Sequence, residues 1–141
     1  VEEAEILDRM LVDHDLRPSQ TVERDRLMAL RSVVDAVYLD KKIRHYILDL
    51  VMATREPRAA GLAELTDLIA FGASPRATLF LARSAKAMAL VRGRGYVIPE
   101  DVKELAPDIL RHRIIPTYEA EAEDISPDHM ITKLLDRIPV P

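Results

Sequence analysis

Cysteine and tryptophan are absent from this sequence of 141 residues, and glycine occurs only four times. Without cysteine there are no disulfides, thiolate zinc sites or cysteine nucleophiles, and the chain suits a reducing compartment, with a cytoplasmic location expected. The glycines, at 61, 72, 93 and 95, are few enough to test every glycine-dependent phosphate motif. A P-loop needs two glycines separated by four residues and followed by Lys and Ser or Thr, and no pair here has that spacing. The dinucleotide fingerprint fails as well, because Ile98 stands where the third glycine after Gly93 and Gly95 belongs. Long apolar runs are missing too. The longest stretch free of Asp, Glu, Lys and Arg is Leu68 to Pro75, far short of the ~18 residues a membrane span needs. No membrane partner is expected.

Most enzyme chemistry is excluded by spacing. The histidines, at 14, 45, 112 and 129, have no His or Cys partner at helical ligand spacing, and none opens an H-E-x-x-H. No metal site is expected. Gly72-Ala73-Ser74-Pro75-Arg76 begins like a nucleophile elbow, but Arg76 stands where that turn needs glycine and no parallel sheet precedes it. Carboxylates are plentiful, so any pairing of two as acid and base would be arbitrary; helix-surface solvation accounts for them.

What the sequence does have is an uneven charge. The net charge is -4, yet residues 76–118 carry eight bases against four acids, while 1–40 and 119–141 are acidic. Of the 20 bases 15 are Arg, the side chain suited to forked contacts with oxyanions. A solvated helix face explains such a segment as readily as an anion site does.

The apolar periodicity reads as helices. Ile6, Leu7, Met10 and Leu11 mark one face of a helix from about residue 2 to Asp13. Arg17-Pro18-Ser19 breaks it, and a second helix from about Val22 carries Leu27, Leu30, Val33 and Val34. Asp40 is the expected N-cap of a third, with Ile43, Tyr46, Ile47, Leu50, Val51 and Thr54 on one side, stopping at Glu56-Pro57. From Arg58 to Ala73 the pattern weakens: Leu62, Leu65, Leu68 and Ile69 fit a short helical turn or a packed loop, and the stretch reads as mostly irregular. Ser74 as N-cap and Pro75 at the first helical position open a helix to Val91, apolar around so much of its girth that it should be the buried centre of a bundle. Gly93 is placed for a left-handed C-cap, and Tyr96-Val97-Ile98 is a short β-prone run. Pro99-Glu100-Asp101 starts another helix to about His112, residues 114–125 fit either extended or helical structure, and Ser126-Pro127-Asp128 starts the last. The expected fold is a single all-α domain over residues 1–141, a small helical bundle with room for one minor β-pair.

One feature stands apart chemically. A helix N-terminus carries free N–H groups and the positive end of the helix dipole, so Arg76 in the first turn is a cation set against that dipole. It either reaches water or a nearby carboxylate, or it is aimed at a phosphate that another domain holds.

Gly72-Ala73-Ser74-Pro75-Arg76-Ala77, the helix behind it, and Gly93-Arg94-x-Tyr96-Val97-x-Pro99-x-Asp101-Val102 together resemble the C-terminal lid of the MoxR family of AAA+ ATPases. Tyr46-Ile47 leading to Thr54-Arg55, the His112-Arg113 pair and Tyr118-Glu119-Ala120 fit in the same order, so the likeness covers essentially the whole chain. The resemblance implies a helical lid on a separate nucleotide-binding core, with Arg76 at the sensor 2 position and Ser74, Pro75 and Arg76 facing the nucleotide. It implies ATP and Mg²⁺ as cofactors of the full-length protein, neighbouring subunits of a homo-oligomeric ring, with six expected, and chaperone-like assembly or activation of other complexes, with von Willebrand factor A domain proteins among the partners. Gly93, Arg94 and Tyr96 are expected to shape a turn, and Thr54-Arg55 and His112-Arg113 to cap helices or touch the core. The Walker A, Walker B, sensor 1 and arginine finger elements are absent from the sequence, so the chain by itself is not expected to hydrolyse ATP. Its start at Val1 on an acidic run agrees with a fragment whose N-terminal core is missing. The competing reading is a stand-alone helical interaction module or nucleic-acid adaptor using the basic segment; the negative net charge and the apolar helix within that segment weigh against nucleic acid.

Overall fold

The computed structural model describes residues 2–12 and 21–141, and the chain divides into two units at Leu30 and Arg31. In the first unit α1 covers Glu2–Val12, close to the expected span; the break expected at Arg17-Pro18-Ser19 lies outside the described residues. Helix α2, Arg24–Ala36, crosses the division.

The second unit is built around α3, Lys41–Arg55. Asp40 caps it as expected, its carboxylate accepting the Lys42 N–H at 2.7 Å. The apolar positions then fall on one face, and Ile43, Tyr46, Ile47, Leu50, Val51 and Ala53 are all buried. Burying each of the large ones contributes about 1.5–3 kcal/mol. Helix α4, Pro75–Val91, packs on α3 and on α5, Pro99–Leu110, while α7, Pro127–Arg137, closes the bundle against α3 and α5. Its contribution to the core is Met130, Ile131 and Leu134. Ser126 caps α7 with its hydroxyl, accepting the His129 N–H at 3.3 Å.

Helix α4 departs from expectation. Its buried residues are Ala77, Leu81, Ala85 and Ala89, one row at four-residue spacing along which small side chains let neighbouring helices approach. Leu79 and Phe80 remain exposed, at 60% and 47%. The helix is central in its contacts but not enclosed, because alanine supplies helix propensity on any face and so inflates the apolar count without demanding burial.

The irregular stretches acquire structure from each other. Residues 69–71 form β1, Ile69–Phe71, which pairs antiparallel with β2, Ile115–Pro116, bringing Phe71 opposite Ile115. Thr117 secures the junction: its N–H donates to the Leu68 carbonyl at 2.9 Å and its hydroxyl to the Asp67 carbonyl at 2.8 Å. Thr117 also caps α6, Tyr118–Ala122, so residues 114–125 are extended first and helical second. The expected β-pair exists, but away from the β-prone run. Tyr96 makes only a parallel bridge with Tyr38, through Tyr38 N–H to the Gly95 carbonyl and Val97 N–H to the Tyr38 carbonyl.

Candidate functional site

The start of α4 is held on the end of α3 by a joint of two parts. Thr54, fully buried, donates its hydroxyl to the Val51 carbonyl at 2.6 Å and accepts the Ala73 N–H at 2.9 Å. Beside it Gly72 lies so close to the α3 backbone that a Cβ would stand 2.7 Å from the Arg55 nitrogen and closer still to the Thr54 carbonyl. Glycine is required there for space. Ala73 is buried behind the same contact. The chain therefore enters α4 from a fixed point.

Ser74 occupies the N-cap position with extended backbone (φ -70°, ψ 163°), but its hydroxyl makes no capping bond, so its expected role holds for the backbone alone. Pro75 fills the first helical position. Arg76 follows, exposed, in a first turn with no acidic residue. Among the described residues its guanidinium has no hydrogen bond and no ion pair. Ser74 and Pro75 are exposed beside it, so the three expected site residues share one open surface. That surface offers a cation, an uncapped serine hydroxyl and a helix start.

The second motif does something different. Gly93 has φ 71° and ends α4 in a left-handed turn, with Arg94 N–H reaching the Ala89 carbonyl at 2.8 Å and Gly93 N–H the Leu90 carbonyl at 2.9 Å. This turn aims two arginines at Asp101, whose side chain is wholly buried. Arg94 grips it with both arms, at 2.8 and 2.5 Å, Arg92 stands 3.4 Å away, and the Ile98 N–H donates at 3.0 Å. Burial pushes the Asp101 carboxyl up, but the Arg94 and Ile98 hydrogen bonds and the two guanidinium charges outweigh it and hold the group below the usual carboxylate range. Arg92 also pairs with Glu104 at 2.6 Å. Gly93, Arg94 and Tyr96 thus shape a turn as expected; Asp101 reads in the sequence as a helix-start acid and a motif residue, and nothing local there announces its burial.

His112 is exposed, and Arg113 is partly buried with its guanidinium 5.0 Å from the centroid of the Phe80 ring. The Arg113 Nε is buried with no acceptor. No group of three or more metal-ligating side chains is found among the described residues, and none of their helices is long and apolar enough to cross a membrane.

A family model for the AAA lid domain matches residues 63–134, about half of the chain, including β1, α4 with Arg76, the Asp101 turn and most of α7. The chain belongs to the AAA lid domain family. The lid is 40% identical over 140 residues to "Chaperone MoxR1" of Mycobacterium tuberculosis, covering 99% of this chain and 37% of that protein. It is 31% identical over 124 residues to "Protein MoxR" of Methylorubrum extorquens, covering 83% of this chain and 36% of the other. A crystal structure of a provisionally assigned ATPase from Cytophaga hutchinsonii superposes over 100% of the lid and 44% of that chain, with TM-score 0.87 and 39% identity. These relatives make it a lid of the MoxR family of AAA+ ATPases. The lid spans about two fifths of the length of the relatives it matches.

Proposed function

We propose that this lid supplies Arg76 to the phosphates of ATP bound by a separate nucleotide-binding core, in the sensor 2 role, and converts nucleotide state into a lid movement that drives chaperone-like remodelling of a partner complex. The observation that carries this reading is the contrast between Arg76 and the three arginines of the basic segment that the lid pairs internally. Arg92, Arg94 and Arg111 are each satisfied by carboxylates within the lid. Arg76 is left without one, on a rigidly anchored helix start where the dipole disfavours a cation. A cation kept unpaired on a fixed support is suited to an anion that arrives from outside. Ser74 and Pro75 border the same opening and would face the nucleotide.

ATP and Mg²⁺ are cofactors of the whole protein in this reading, and the lid provides neither the phosphate loop nor a Mg²⁺ ligand. Its partners are the core of its own or a neighbouring subunit in a homo-oligomeric ring of six, and proteins with a von Willebrand factor A domain, in the cytoplasm. The test is Arg76→Ala in the full-length protein. Because Arg76 is exposed and unpaired, the lid should melt as before, while ATP turnover falls roughly 10- to 1,000-fold, the usual worth of a group that stabilises charge on phosphoryl oxygens. Unchanged turnover with a folded lid would remove Arg76 from the active site.

A further inference from the structure

A further arginine, Arg113, has no carboxylate partner among the described residues and stacks on α4 through Phe80. Arg76 and Phe80 are four residues apart on α4, so they are neighbours one turn apart, and a helical side chain leans back over the turn before it. The Phe80 ring therefore leans toward the turn that carries Arg76. Arg113 lies over that ring at 5.0 Å, within the range of a cation–π contact. Its position is fixed from both sides: Arg113 N–H donates to the Leu110 carbonyl at 2.8 Å, and Ile114, which follows, is buried. Two residues on, Ile115 sits opposite Phe71, at the end of the strand that leads through Gly72 into Arg76. The same small sheet thus ties together the two segments that carry the arginines.

The hydrogen-bonding state of Arg113 is unusual. Its Nε is buried and has no acceptor, and no ion pair is made by its guanidinium among the described residues. A buried charged donor without an acceptor costs free energy that a flexible arginine normally avoids by turning outward. Here the Phe80 stack holds it. Arg76 and Phe80, the residue that carries Arg113, stand one helical turn apart on α4, and a single carboxylate could neutralise only one of the two unpaired cations. The group that satisfies both carries more than one negative charge.

We infer that Arg113, held on Phe80, is a second phosphate-binding arginine that acts with Arg76 on the polyphosphate of the nucleotide. This rests on the reading of Arg76 given above. In the full-length ATPase, Arg113→Met keeps most of the length and the apolar stem while removing the charge, Arg113→Lys keeps the charge, and Phe80→Leu removes the ring. Steady-state turnover, the affinity for a fluorescent non-hydrolysable ATP analogue and lid melting are measured for each, alongside Arg76→Ala. Arg113→Met should lower kcat/KM for ATP and analogue affinity at least fivefold with lid melting unchanged, Arg113→Lys should recover part of the loss, and Phe80→Leu should fall between them. In the double variant Arg76→Ala/Arg113→Met the losses should be less than multiplicative, as expected for two groups on one ligand. Full activity and full analogue affinity in Arg113→Met overturn the inference, and so does a loss confined to lid melting, which makes Arg113 a packing residue. Loss of turnover with analogue affinity intact also overturns it, pointing to a carboxylate of the core instead. If Arg76→Ala is impaired and Arg113→Met is not, this inference alone falls; if Arg113→Met is impaired and Arg76→Ala is not, the reading of Arg76 falls and the joint action inferred here falls with it.

Discussion

Replacing Gly72 by alanine adds one methyl group at the joint between α3 and α4. The new Cβ would stand 2.5 Å from the Thr54 carbonyl carbon and 2.7 Å from the Arg55 nitrogen, both backbone atoms inside a packed helix end that cannot turn aside. The entering strand must move instead. Overpacking of this kind costs about 1–3 kcal/mol. Displacement also stretches the Ala73 N–H bond to the buried Thr54 hydroxyl, worth about 1 kcal/mol. Together the cost is about 2–4 kcal/mol, a large part of the ~5–15 kcal/mol that holds a domain folded. For a unit of this size that corresponds to a fall of roughly 10–20 °C in Tm. Thermal unfolding followed by circular dichroism at helix wavelengths measures it. Thr54→Val removes the same hydrogen bond without adding an atom and should cost about 1–3 kcal/mol. Because both changes break one bond, the double variant should lose less than the sum. A Gly72→Ala protein melting within 2 °C of the parent would refute the account of the joint.

Gly93→Ala is the complementary case: a Cβ there meets nothing within 4 Å, and the cost comes from φ 71° alone. It should be about 1 kcal/mol, and Gly93→Asn should recover part of it in a urea melt, since Asn tolerates this conformation better. Asp101 makes stability depend on pH. Its folded carboxyl is held below the ordinary value, so its contribution is complete above the unfolded value near ~3.9 and is lost as pH falls through the lower folded value. Melting temperature should drop on acidification below about pH 4, and Asp101→Asn, less stable at neutral pH, should show a shallower drop. An unchanged acid limb in that variant would remove Asp101 as its source.

Helix boundaries were legible because they are written locally. Asp40, Ser126-Pro127 and Gly93 each specify a helix end through bonds to residues a few positions away. Residues 58–73 and 114–125 were not legible, since their order comes from pairing Ile69–Phe71 with Ile115–Pro116, distant segments whose match no local pattern announces. The β character of Tyr96-Val97 was visible, but its partner Tyr38 was not. At the site, Arg76 stood out because a cation against a helix dipole is a local contradiction. Thr54 and Phe80 did not, since a buried hydroxyl and an exposed ring read from sequence like any helix-face residues.

The Thr54 hydroxyl links two helices with one atom that both gives and receives a hydrogen bond, and Gly72 closes the remaining gap. Such a coupling has no backlash. At this contact no loose chain separates the last turn of α3 from the first turn of α4, so neither can shift without carrying the other. Helix α3 and the start of α4 are therefore one rigid corner of the bundle, and a change at Gly72 or Thr54 is felt by both helices at once.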